Sequence, residues 1–143
     1  MLCEPCTISD GPALDYALRK STTNHKYTHG HAVILSGGPG KTGAARLAAR
    51  GALRIGAGLV TIGCPQTALA EVAAQITAIM CRPLSGAAAL AELLEDDRLN
   101  ALCLGPGLGL GADTQQLVLT ALAVSNPCLL YTSPSPRDIS AYL

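Results

Sequence analysis

One uninterrupted run, HAVILSGGPGKTGAARLAARGALRIGAGLVTIGC from His31 to Cys64, restricts the fold more than any other part of the chain. It opens with His31–Ser36, a short apolar stretch rich in branched residues and bounded by glycines, the pattern of a buried strand. Gly37–Thr42 (GGPGKT) is a tight loop. Gly43–Ala57 then carries Arg46, Arg50 and Arg54 four apart, so all three fall on one solvent stripe of a helix. Its other faces hold Ala, Leu, Ile and Gly51, small enough to lie close against a sheet. Gly56 and Gly58 supply a stop, and Leu59–Cys64 is a second strand. A strand, a helix and a strand joined this tightly form a right-handed βαβ unit with parallel strands.

The rest of the chain repeats the alternation. Pro65 favours a helix start, and Gln66–Gln75 is Ala-rich and helical. Ala78–Cys81 is a short strand ahead of Arg82-Pro83, and Gly86–Asp97 is a helix ending in acids. Leu99–Leu104 is a clear strand that runs into a second glycine loop, Gly105–Gly109 (GPGLG). Asp113 is the expected N-cap of the next helix, with Gln116 completing a capping box. That helix runs to about Val124 and stops at Asn126-Pro127, after which Pro127–Leu130 begins another strand. The fold class is therefore α/β, layered, with a mostly parallel sheet. Ligands of such sheets bind beyond the carboxyl ends of the strands. Both glycine loops belong there, on one rim.

At 143 residues the chain holds at most one domain, and its 49% hydrophobic content is ample for a core. With no Phe and no Trp, that core must be packed from small and branched side chains. Ten basic residues balance ten acidic ones. No basic stripe is available for a nucleic acid, and four Tyr are too few for a base-stacking platform. A small molecule is the better partner. Met1–Gly11 has no apolar core of a signal peptide, so the six Cys are expected as reduced thiols in the cytoplasm. The longest uncharged run, Thr114–Pro136, contains Gln, Asn and Pro, which disfavours a membrane span.

Gly38-Pro39-Gly40-Lys41-Thr42-Gly43 matches G-x-G-x-x-G in the strand–helix setting that a dinucleotide fingerprint requires. The acid expected about 20 positions on is missing, since the next one is Glu71 within a helix. Gly40-Lys41-Thr42 imitates the end of a phosphate loop, but Leu35 stands where that pattern needs glycine. A glycine loop entering a helix still favours anions through free N–H groups and the helix dipole. The plain alternative is that these glycines only make turns. His25, His29 and His31 lack companions for a metal set and are expected as surface or turn residues. Cys3-x-x-Cys6 lacks a second pair, and Asp96-Asp97 is expected as a solvated turn. No Ser-His-Asp or Cys-His arrangement is visible, so no catalytic or metal-ligating residue is assigned.

Taken together, His25-Lys26-x-x-x-Gly30, HAVILSGG, GAARLAA, ALRIGAGLVT and the LGPGLG loop from Leu104 to Gly109 resemble the ADP-dependent NAD(P)H-hydrate dehydratases. The resemblance runs from about Leu18 to Leu130. It implies a ribokinase-like layered fold and a repair reaction on the nicotinamide cofactor. In that reaction (6S)-NAD(P)H hydrate is dehydrated to NAD(P)H, with ADP (or ATP) and Mg2+ as cofactors and AMP and phosphate released. The family's logic is to phosphorylate a hydroxyl and then eliminate phosphate. The resemblance places the substrate against Ala44 and Gly107, with Ala45 and Gly105 behind them. It leaves the role of Lys26 open. It also implies a homo-oligomer when full length.

The departures from the family pattern bear on activity. An acidic turn should follow the strand at Pro127–Leu130, but Tyr131-Thr132-Ser133-Pro134 stands there. The family's His-bearing, nucleotide-binding and catalytic-Asp segments have no counterpart. The expected organisation is an irregular extension or linker over 1–24, the N-terminal half of a dehydratase domain over 25–130, and a non-homologous, disordered tail over 131–143. This truncated chain is expected to be inactive. Two other functions fit the same residues: a ribokinase-like kinase of a small alcohol, and a non-catalytic dinucleotide-binding module.

Overall fold

A computed structural model describes residues 11–12, 15, 19–21, 23–105, 107–123 and 128–130. Five strands, β1 (His31–Leu35), β2 (Leu59–Cys64), β3 (Met80–Pro83), β4 (Leu99–Leu104) and β5 (Cys128–Leu130), form one sheet in the order β3-β2-β1-β4-β5. All four pairings are parallel. Four helices connect them: α1 (Gly43–Ile55), α2 (Leu69–Ala73), α3 (Gly86–Leu94) and α4 (Ala112–Leu122). Short 3-10 turns cover Lys26–His29 and Gln66–Ala68.

The two-residue period of β1 divides the core. Val33 and Leu35 point into a cluster with Leu90, Leu93 and Leu94 of α3, Leu102 and Leu104 of β4, and Ala121 of α4. Ile34 points the other way, to Ala45 and Ala49 of α1, Val60 and Ile62 of β2, and Val72 of α2. A strand buried on both faces must be apolar throughout, which explains the unbroken HAVIL run. Ala45 and Ala49 are 3% and 0% exposed, so α1 meets the sheet through methyl groups and lies close to it. No helix among the described residues is long and apolar enough to cross a membrane.

The structure alters several expectations. The region after Pro65 is a 3-10 turn followed by the five-residue α2, not one helix over Gln66–Gln75. β3 begins at Met80 rather than Ala78, because its register against β2 pairs Cys81 with Ile62. Gly111, not Asp113, caps α4: its extended backbone precedes Ala112, and Asp113 falls in the first turn. There its charge still opposes the positive end of the helix favourably. The Thr114 hydroxyl meanwhile donates to the Leu108 carbonyl at 2.9 Å, pinning the second glycine loop. The expected extension over 1–24 lies largely outside the described residues, and the tail over 131–143 wholly outside them. Cys64 is buried and Cys103 packs against the core, as apolar-run cysteines should.

The amino end of the sheet is polar and internally paired. β4 carries an extra residue against β1 at Asn100, between the His31–Leu99 and Ala32–Ala101 pairs. Its side-chain oxygen accepts the His31 N–H at 2.9 Å, replacing the lost ladder bond. His31 is not a surface histidine. Its Nε2 shares a 2.7 Å hydrogen bond with Thr61 Oγ1, and burial lowers its pKa despite the opposing Asp96 charge. The folded state thus disfavours the charged ring, so this contribution is present above the ordinary histidine value of 6.5 and is lost as pH falls below it. Replacing His31 with Gln should flatten that part of the stability–pH curve, read by urea unfolding between pH 5 and 8. Asp96 lies in the expected solvated turn and is paired within it. Its carboxylate accepts the Arg98 guanidinium at 2.7 Å and the Arg98 N–H at 3.0 Å, which holds its pKa at about 2.

Candidate functional site

The strand order reverses at β1. From β1 the chain moves outward to β2 and β3, then returns through α3 to place β4 on the opposite side of β1. Successive connections from β1 and β4 therefore diverge to opposite faces, α1 to one and α4 to the other. The carboxyl ends at such a reversal are where open α/β sheets hold ligands.

The two glycine loops meet at this reversal. A Cβ on Gly37 would overlap the Gly107 carbonyl oxygen. A Cβ on Gly107, whose φ is +87°, would stand 2.7 Å from the Lys41 carbonyl oxygen. The backbones are thus in van der Waals contact, and only glycine allows that approach.

Glu71 of α2 holds the first loop from the other side. Its carboxylate accepts the Gly40 N–H at 2.8 Å and the Thr42 hydroxyl at 2.5 Å. Thr42 is fully buried, and the Lys41 N–H bonds the Gly38 carbonyl at 3.0 Å. Several donors of GGPGKT are therefore already used, so this loop is less open to anions than its sequence suggests. The Thr42 hydroxyl, then the Gly40 N–H, lower the Glu71 pKa, with a smaller pull from Arg46. A depressed carboxylate stabilises the fold above its ordinary value of 4.5 and loses that effect as pH falls below it. Glu71→Gln should retain the fold but flatten the acid limb of a thermal-melt series between pH 3 and 6; an unaltered limb would show that the loop does not depend on this carboxylate.

The expected substrate residues fall in two settings. Ala44 is exposed on the first turn of α1, and Gly107 is exposed on the second loop beside Gly37 and Lys41. Gly105 is partly buried with φ +145°. Ala45 is 3% exposed within α1, so its methyl packs on the sheet rather than at the rim surface. Lys26 lies at the other end of the molecule, in the turn before β1, where its ammonium sits 5.3 Å from the Tyr27 ring centroid. The bond between Glu71 and Thr42 leaves no sign in the sequence because it spans 29 residues.

Among the described residues, no group of three or more His, Cys, Asp or Glu is placed to hold a metal ion. The described rim presents exposed main chain at Gly107 and at the start of α1.

Residues 32–133 match the family profile Carb_kinase, described as NAD(P)H-hydrate dehydratase. The chain belongs to the NAD(P)H-hydrate dehydratase family. Among curated relatives, it is 31% identical over 128 residues to the bifunctional NAD(P)H-hydrate repair enzyme Nnr of Coxiella burnetii, covering 84% of this chain and 26% of that protein. It is 34% identical over 112 residues to the ADP-dependent (S)-NAD(P)H-hydrate dehydratase of Bacillus subtilis, covering 78% of this chain and 40% of the relative. This family member therefore spans well under two thirds of the length of either relative. A crystal structure of the ADP/ATP-dependent NAD(P)H-hydrate dehydratase from Bacillus subtilis, co-crystallized with ATP/Mg2+, superposes with a TM-score of 0.63 at 26% identity, over 82% of this chain and 44% of that one. A ribokinase-like superfamily protein from Enterococcus faecalis shares the fold, with a TM-score of 0.65 at 22% identity, over 78% of this chain and 39% of that one. The layered ribokinase-like architecture of the dehydratase family is thus present here.

Proposed function

We propose that this chain forms the substrate cradle of an ADP-dependent dehydratase that returns (6S)-NAD(P)H hydrate to NAD(P)H, releasing AMP and phosphate. The observation that carries the proposal is the contact of Gly37 and Lys41 with Gly107 at the sheet's reversal point. It joins two side-chain-poor turns into one surface on which a dinucleotide can lie against bare backbone. Ala44 and Gly107 border that surface, with Ala45 and Gly105 supporting it through their main chain. ADP or ATP supplies the phosphoryl group that turns a poor leaving group into a good one. The residues of this chain bind and orient the hydrate; none of those described is assigned to the transfer step. Free thiols at Cys64 and Cys81 suit a reducing cytoplasm.

The chain by itself should bind NADPH hydrate and, given ADP and Mg2+, fail to convert it. Isothermal titration gives the affinity, and recovery of reduced-nicotinamide absorbance gives turnover. Ala44→Trp should weaken binding by about tenfold or more, because a ring there blocks approach to the rim. Ala44 is exposed, so melting should change little. Unchanged affinity in that variant would refute the cradle, and turnover by the chain would refute its inactivity.

A further inference from the structure

Beside the rim, α1 and the end of α2 border a half-open groove of about 270 Å³ lined by Gly43, Arg46, Leu47, Arg50 and Gln75. The spacing of the arginines had suggested a plain solvent stripe. Arg46 departs from it: the side chain is half-buried, and its Nε–H is enclosed without a hydrogen-bond partner. A guanidinium curled back towards Gly43 explains this, with one terminal nitrogen 3.9 Å from the place a Gly43 Cβ would take. Enclosed donors rarely go unpaired, and an unpaired one on a permanently charged group is costly to maintain. Arg50 follows one turn later on the same face. It uses one donor on the Gln75 carbonyl, at 3.2 Å, and keeps the rest of its fork for another acceptor. Glu71 feels the Arg46 charge, but its carboxylate is engaged by Gly40 and Thr42, and among the described residues it forms no ion pair with either arginine.

We propose that Arg46 and Arg50 form a phosphate-recognition site that takes a phosphomonoester dianion. Two neighbouring guanidinium forks match the oxygens of such a group bidentately. Leu47, 72% exposed, adds an apolar surface for the sugar or base that carries it. The groove begins at Gly43, next to Ala44, so it adjoins the surface on which the dinucleotide is placed. Resting on the proposed cradle, this identifies the 2′-phosphate of a phosphorylated nicotinamide dinucleotide as the group received. The site thus sets a preference for NADPH hydrate over NADH hydrate. Inorganic phosphate offers the same chemistry without the cradle.

The test titrates the 143-residue chain with NADP+, NAD+ and inorganic phosphate, in wild type and in Arg46→Gln, Arg50→Gln and Arg54→Gln. Arg54 lies on the same helix but outside the groove, and controls for charge and folding. NADP+ should bind about tenfold or more tighter than NAD+. Arg46→Gln and Arg50→Gln should remove that difference, while Arg54→Gln should keep it. Phosphate should compete with NADP+ and not with NAD+. Arginine-dependent phosphate binding without binding of either dinucleotide would support the site and overturn the cradle. Equal binding of both dinucleotides, indifferent to Arg46 and Arg50, would overturn the site and leave the cradle standing. No binding of phosphate or NADP+ would overturn the site.

Discussion

Gly37→Ala should be among the most damaging single-methyl additions in the described part of this chain. The new carbon has no room, because the Gly107 carbonyl oxygen already occupies its position. Neither neighbour can yield cheaply: both are backbone, and Gly107 is itself against the Lys41 carbonyl. Forced overpacking of this kind costs about 3 kcal/mol. In a domain of this size that lowers the melting temperature by about 10 °C. Binding of NADPH hydrate should fall with it, since the two turns must separate. Gly38→Ala is the matched control, because nothing lies within 4 Å of its added carbon. That variant should melt within about 2 °C of wild type. Calorimetry of the pair decides the matter: equal melting of Gly37→Ala and Gly38→Ala would mean the turns do not touch in solution.

Ile62→Ala should be comparably severe through the core. Ile62 is 0% exposed at the centre of β2, among the side chains that seat Ala45 and Ala49 of α1. Truncation removes three carbons and leaves a void that the surrounding strand cannot close, at a cost of about 3–4 kcal/mol. That is a large share of the roughly 5–15 kcal/mol by which domains are stable. The core has no large aromatic ring to shift into the gap, since the chain lacks Phe and Trp. Urea unfolding should show a lower midpoint with an unchanged slope. A midpoint equal to that of wild type would contradict the burial.

Local periodicity made much of this architecture readable. β1, α1 and β2 follow from an apolar run, an arginine spacing and two glycine stops, and they occur nearly where expected. β4 and the second loop follow for the same reason. The failures share a cause. β3 is displaced by its register against β2, α2 is shortened where the chain turns, and Gly111 displaces Asp113 as a cap. Each is decided by residues distant in sequence or by loop geometry, which short-range patterns do not encode. Glu71 is the sharpest example. As the next acid after the first loop it counted against a nucleotide fingerprint, whereas in space it ties that loop together. Arg46 shows the same limit, since a regular stripe gives no sign that one member is walled in.

Placing β1 in the middle of the sheet has a cost during synthesis. Its partner β2 arrives soon after it, but its other partner, β4, is complete only at Leu104. At ribosomal rates of about 5–20 residues per second, one flank of β1 waits on the order of several seconds with unpaired N–H and C=O groups. A nascent chain stalled before Leu99 would present that flank to any passing strand, and so invite aggregation or a chaperone. The surface that the two turns form together is consequently among the last features of the described fold to exist.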